Sequence, residues 1–122
     1  MTPDERRVFA LAADLMDRSR LQEAAPDGVA LTLFRAPGPL WDAVTDTPDD
    51  GRELLVILDL ARPGVVDSIP GARHPGIRVV GFGPHVDDEL LAAARRAGFD
   101  EVLPRSVFFH RLAAILSADK SG

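Results

Sequence analysis

The sequence predicts an α/β fold: a five-stranded parallel sheet with helices wound on both of its faces. Three observations predict it. Five strand-like runs alternate strictly with helical or turn-rich segments, the order expected of successive β–α units. The runs Leu54–Leu58 (LLVIL) and Ile77–Phe82 (IRVVGF) lack apolar–polar alternation, as strands covered on both faces do. The chain has 122 residues, 46% of them apolar, with mean hydropathy close to zero, so it can bury one core of ordinary size.

The elements follow in order. Arg7–Ala12 (RVFALA) is the first strand, with Asp14 just past its end. Residues 15–25 carry apolar positions at Leu15, Leu21 and Ala25, a helix stopped by Pro26 and Gly28. Val29–Phe34 (VALTLF) is the second strand. Residues 39–45 form one or two helical turns with Leu40, Trp41 and Val44 inward, and TPDDG from Thr47 is a turn. Leu54–Leu58 is the third strand. The crossover after it is so rich in Pro and Gly that only a stub of helix, Val65 to Ile69, fits. Ile77–Phe82 is the fourth strand.

The next crossover holds the clearest helix. Asp87 is its expected N-cap, with Val86 placed to staple onto Leu91. Asp88 and Glu89 stand in the first turn, Arg95 and Arg96 in the last, and Gly98 at C′. Glu101–Leu103 is a short fifth strand. A last helix starts at the cap Ser106 and turns Phe108, Phe109, Leu112, Ile115 and Leu116 inward. Residues 1–118 are expected to form a single domain, with 119–122 as a frayed tail.

Composition excludes several classes of function. There are 14 Lys and Arg against 19 Asp and Glu, a net charge of −5. That balance argues against a nucleic-acid surface, which needs a basic patch. No stretch reaches the length of a membrane span, and MTPDERR leads into no signal-like apolar segment. The absence of cysteine removes disulfides, thiolate metal sites and cysteine nucleophiles, and suits a reducing cytoplasm. His74, His85 and His110 have no metal-ligand spacing. The string Gly81-Phe-Gly83 lacks the third glycine of a dinucleotide fingerprint and lies on the wrong strand for one.

In a parallel sheet of this kind, ligands gather outside the carboxyl ends of the strands. Asp14, Asp59, Gly83 and Arg105 all follow or end strands on that rim. Two carboxylates there repel, and a hard cation such as Mg²⁺ between them would relieve the repulsion. A basic group beside them would offset further negative charge, that of a phosphoryl group included.

At this point the chain resembles the receiver domain of bacterial two-component response regulators over essentially its full length. The resemblance rests on Asp59 ending the third strand, Pro63 four residues later, Asp14 after the first strand, and GFGPHVDDELLAAARRAGFDEVLPRS with its Ala97-Gly98 step. It implies a flavodoxin-like, CheY-like three-layer sandwich with strand order 2-1-3-4-5, here with a shortened third helix. It also implies that Asp59 is the phosphoacceptor for a histidine kinase. Mg²⁺ would then be held by Asp14, Asp59 and the Ala61 carbonyl, with Arg105 compensating charge. Partners would be a sensor kinase or downstream effector, together with a homodimer through the fourth and fifth helices of that order, and neither nucleic acid nor membrane.

The departures from the family pattern are concentrated at the site. The acidic pair after strand one is Ala13-Asp14, so one acid of two is present. The Ser/Thr ending strand four is Gly83, which offers only a backbone N–H. The lysine after strand five is Arg105, whose planar fork is not an equivalent of an ammonium, and Ser106 stands in place of the proline. The aromatic switch position in strand five is Val102. Together these departures point to an atypical, non-enzymatic receiver that acts through protein–protein contact, with phosphorylation of Asp59 weak or absent. Two alternatives stand beside it: a fully competent phospho-switch, and a small flavodoxin-like binder of a nucleotide or flavin. Plainer roles are also open. Asp14 could cap the first helix, and Arg105 could pair in bidentate fashion with Asp59 and neutralise it permanently.

Overall fold

Five strands run in one direction in the order β2-β1-β3-β4-β5. They are β1 (Arg6–Leu11), β2 (Val29–Phe34), β3 (Leu54–Asp59), β4 (Ile77–Gly83) and β5 (Glu101–Pro104). The helices are α1 (Leu15–Ala24), α2 (Pro37–Asp46), α3 (Asp88–Ala97), α4 (Arg105–His110) and α5 (Leu112–Ser117). This computed structural model describes residues 6–12, 14–48, 50–62, 64–70, 76–84 and 86–117. Ala13, Pro63, His74, His85 and the 119–122 tail lie outside the described residues.

All six residues of β3 are buried, because the central strand is covered on both sides. Leu54, Val56 and Leu58 face one layer, with Leu40, Trp41 and Val44 of α2 and Ala94 of α3. Leu55 and Ile57 face the other, with Leu21 of α1 and Phe108, Leu112 and Leu116 of the last two helices. Side chains alternate along a strand, so Asp59 belongs to the same face as Leu55 and Ile57. That parity directs its carboxylate towards α1 and α4.

The helix termini explain themselves chemically. Asp87 caps α3 by accepting from the Leu90 N–H at 2.9 Å, and Gly98 ends it at φ +104°, a conformation that favours glycine. Asp100 then clamps the turn to the sheet, its carboxylate accepting from the Val79 N–H at 2.7 Å and its own N–H donating to the Val79 carbonyl at 2.8 Å. The third crossover contains one turn of 3₁₀ helix, Val66–Ser68. It is anchored by the Ser68 hydroxyl, which donates to the Val65 carbonyl and accepts from Trp41 Nε1.

Helix α2, ten residues over Pro37–Asp46, is longer than the one or two turns expected at 39–45, and two expectations change at the last helix. The last helix starts one residue earlier than Ser106: Pro104 occupies the cap position, Arg105 is the first helical residue, and Ser106 is exposed and provides no cap. The proline ring fixes φ at this position, −57°, and no side chain caps the helix. That helix is also interrupted at Arg111, between α4 and α5.

Candidate functional site

The rim at the carboxyl ends of β1, β3 and β5 carries the carboxylates of Asp14, Asp17 and Asp59 and the guanidinium of Arg105, with Arg62 placed so that its charge acts on Asp59. Asp14 is the N-cap of α1: its Oδ1 accepts from the N–H groups of Met16 at 2.8 Å and Asp17 at 3.2 Å. Its side chain is exposed. One helical step inside, Asp17 is 1% exposed, on the same face of α1 as Leu21, four residues on. A carboxylate so placed requires a charged partner, and Arg105 is that partner. Its Nη1 donates to Asp17 Oδ2 at 2.8 Å, and its Nη2 donates to Oδ1, a two-pronged pair.

The guanidinium is held from behind as well. Its carbon lies 5.0 Å from the centre of the Phe109 ring and 6.0 Å from that of Phe82. Phe82 stacks on Phe108 at 4.4 Å, and both meet the Phe109 ring edge-to-face. Arg20 of α1 covers Phe109 at 5.2 Å. A planar cation on an aromatic face with both terminal nitrogens engaged by one carboxylate has little freedom left.

Asp59 closes the third side. It is 6% exposed and stands in register with Phe82 across the β3–β4 ladder. Its Oδ1 accepts from the Ala61 N–H at 2.9 Å, which turns the chain sharply after the strand. Burial pushes this carboxyl above the usual carboxylate range, and the Asp17 charge adds to the push. The Ala61 N–H and the charges of Arg105 and Arg62 pull the other way. Arg105 is held above its ordinary value, first by its hydrogen bonds to Asp17 and then by the charges of Asp17, Asp59 and Asp14. The three sequence-selected residues Asp14, Asp59 and Arg105 thus share one electrostatic site. Arg105's direct partner, however, is Asp17 and not Asp59.

Gly83 is buried at the end of β4, in register with Pro104. A Cβ there would meet only Leu60 Cβ, at 3.5 Å, an ordinary contact. Its neighbour Gly81 differs: a Cβ would lie 2.7 Å from the Phe99 ring and 3.0 Å from Leu60 Cδ1. Gly81 is therefore a packing glycine, and the dinucleotide-like string is a buried strand. Val102 packs against the α2–α3 layer, the face of the sheet opposite Arg105. His110 is exposed on α4.

Solved structures share this arrangement of elements. A response regulator from Thermotoga maritima matches with a TM-score of 0.68 at 16% identity, covering 93% of this chain and 98% of that one. The Mn²⁺-bound form of the response regulator Rcp1 matches with a TM-score of 0.69 at 16% identity, covering 93% of each. The pilus assembly protein CpaE from Caulobacter crescentus matches with a TM-score of 0.66 at 19% identity, covering 93% and 92%. The fold is the receiver fold. No family model matches the chain, and no curated protein matches it.

The receiver fold implies a divalent cation at this rim, and the residues present do not fit one as they are arranged. Both oxygens of Asp17 are engaged by Arg105, and one oxygen each of Asp14 and Asp59 is engaged by backbone N–H groups. Among the described residues no three acidic, His or Cys side chains are grouped to hold a metal. A cation entering here would also face a fixed guanidinium of like charge.

Sequence reasoning missed Asp17. The readable signal was its spacing of four from Leu21, which puts an acid on the apolar face of the first helix.

Proposed function

We propose that this chain is a receiver-type signalling domain that works by docking on a protein partner, with phosphorylation of Asp59 weak or absent. The observation that carries this reading is the Asp17–Arg105 pair. In the reading drawn from the family pattern, the basic residue after the fifth strand compensates charge arriving on Asp59. Here its guanidinium is committed to Asp17 by two hydrogen bonds. Phosphoryl transfer would have Asp59 Oδ attack phosphorus while the donor's leaving group departs with the bonding pair. The incoming phosphoryl would add negative charge beside Asp17 and Asp14 with no hydroxyl at Gly83 to receive it. Burial and the Asp17 charge, which raise the pKa of Asp59, would also oppose further negative charge at this position.

The similarity to a protein named for pilus assembly supports a role exercised through assembly with other proteins. A sensor kinase or downstream effector is the kind of partner proposed, and a homodimer through α3 and α4–α5 is the self-association this reading allows.

The test is incubation with acetyl phosphate and Mg²⁺, followed by intact mass. The expected outcome is an unmodified mass. A stoichiometric phosphate adduct that disappears in Asp59→Asn would establish the competent phospho-switch instead.

A further inference from the structure

We infer that the guanidinium of Arg105 is the resident cation of this rim: it takes the electrostatic place of a divalent metal, so the acidic pocket binds none. This rests on the receiver reading above for the location of the pocket, but not on whether Asp59 is phosphorylated.

Three independent observations converge. First, the rim contains a buried carboxylate that a cation can satisfy: Asp17, 1% exposed, on the inward face of α1. A metal or a basic side chain could meet that need, and Arg105 already does so with both terminal nitrogens. Second, the arginine is built in. It is the first residue of α4, fixed by the backbone of Pro104, and its guanidinium lies on the Phe109 and Phe82 rings. Third, its charge reaches all three acids of the rim, Asp17, Asp59 and Asp14. Asp14, Asp17 and Asp59 make the rim acidic, yet Arg105 is already bonded to Asp17 and its charge, with that of Arg62, already acts on Asp59. A divalent ion gains the attraction of Asp59 and Asp14 but must displace or oppose Arg105, and Asp17 cannot turn to it without abandoning its partner.

The consequence is a latent metal site. Removing the guanidinium frees both oxygens of the buried Asp17, whose charge already reaches Asp59, for a hard cation that keeps most of its waters and is held by one or two carboxylates. Loss of Arg105 should therefore create metal binding where the native chain has none.

Mn²⁺ alone serves as the probe, with the free aquo ion followed by electron paramagnetic resonance during titration into the full chain. The native protein is expected to leave the free-ion signal unchanged into the millimolar range. Arg105→Ala and Arg105→Gln are expected to bind at least roughly tenfold more tightly, and Asp17→Asn added to either should abolish the gain. Native binding as tight as that of the variants overturns the inference, as do folded variants that gain nothing. If both variants fail to fold by circular dichroism, the native protein decides alone. Submillimolar Mn²⁺ binding that is lost in Asp59→Asn sinks the inference, and no binding upholds it. The result is separable from the functional reading: Mn²⁺ binding without a phosphate adduct refutes only this inference. An adduct formed from acetyl phosphate in the presence of a chelator refutes only the earlier reading.

Discussion

Asp59 sits at the end of β3 because the strand's own alternation carries it to the face shared with α1 and α4, and there it is charged at a cost. Its carboxyl binds a proton more tightly in the folded chain than in the unfolded one, chiefly through burial. Stability linked to this group is therefore gained as pH falls from neutral through its raised pKa towards the ordinary value of 3.8. Asp59→Asn is expected to raise the melting temperature at pH 7, by about 1 kcal/mol in stability. That advantage should shrink as the pH approaches about 4; a constant difference across the range would contradict the assignment. Arg105 behaves oppositely. Its truncation leaves Asp17 buried and unpaired, so Arg105→Ala is expected to cost about 2 kcal/mol by denaturant unfolding, less than for a fully buried pair because the arginine side chain is 37% exposed. Asp17→Asn in that background should recover part of the loss, and strictly additive effects would show that the two residues are not coupled. Asp14 and Arg105 were legible as rim residues because they follow strands. Asp17 was not, because its role depends on which side of a helix meets the sheet.

At the scale of elements, local chemistry was readable wherever a residue had one job. Val29–Phe34 matches its expected bounds, and α3 has the Asp87 cap and Gly98 terminus that its sequence announces. The short third crossover followed from Pro and Gly alone. What the sequence could not show was the difference between two glycines on one strand. Gly81 and Gly83 look alike in GFG, but Phe99, far along the chain, closes over the first and leaves room above the second. Gly81→Ala should destabilise the fold by about 1–3 kcal/mol, since the buried Phe99 ring must move. Gly83→Ser should fold normally and stay within about 1 kcal/mol of the native chain. Thermal melts of the two variants check both, and equal losses would refute the packing role given to Gly81. The start of the last helix was misread because Ser106 is a good cap in isolation, whereas Pro104 had already set the backbone there.

For the molecule as a whole, the two ends of the sheet are built differently. The end where the strands begin is tied by Arg6 to Glu53 at 2.7 Å and by Asp50 to both Arg7 and Arg52, with Asp50 held down at about 2, first by its hydrogen bonds to Arg52. The opposite end gathers Asp14, Asp17 and Asp59 around Arg105. Helix α3 and the last two helices lie on opposite layers, so a partner reaching both must approach along the β5 edge. The fold class was legible because alternation of β and α units leaves few arrangements open. Which charged residues would pair across it was not, because those pairs join segments distant in sequence.

The all-parallel ladder also governs how quickly the chain finds its shape. β1 cannot be flanked on both sides until β3 arrives, which requires the whole α1–β2–α2 stretch to be looped out before Arg7 and Leu54 can pair. Such non-local closure places refolding in milliseconds to seconds, slower than for a helical bundle of equal length. Stopped-flow refolding should show Leu55→Ala slowing the folding limb, whereas Leu116→Ala on α5 should mainly accelerate unfolding. That outcome would make the middle strand the kinetic gatekeeper of the molecule as well as the carrier of Asp59, one of the two buried acids among the described residues.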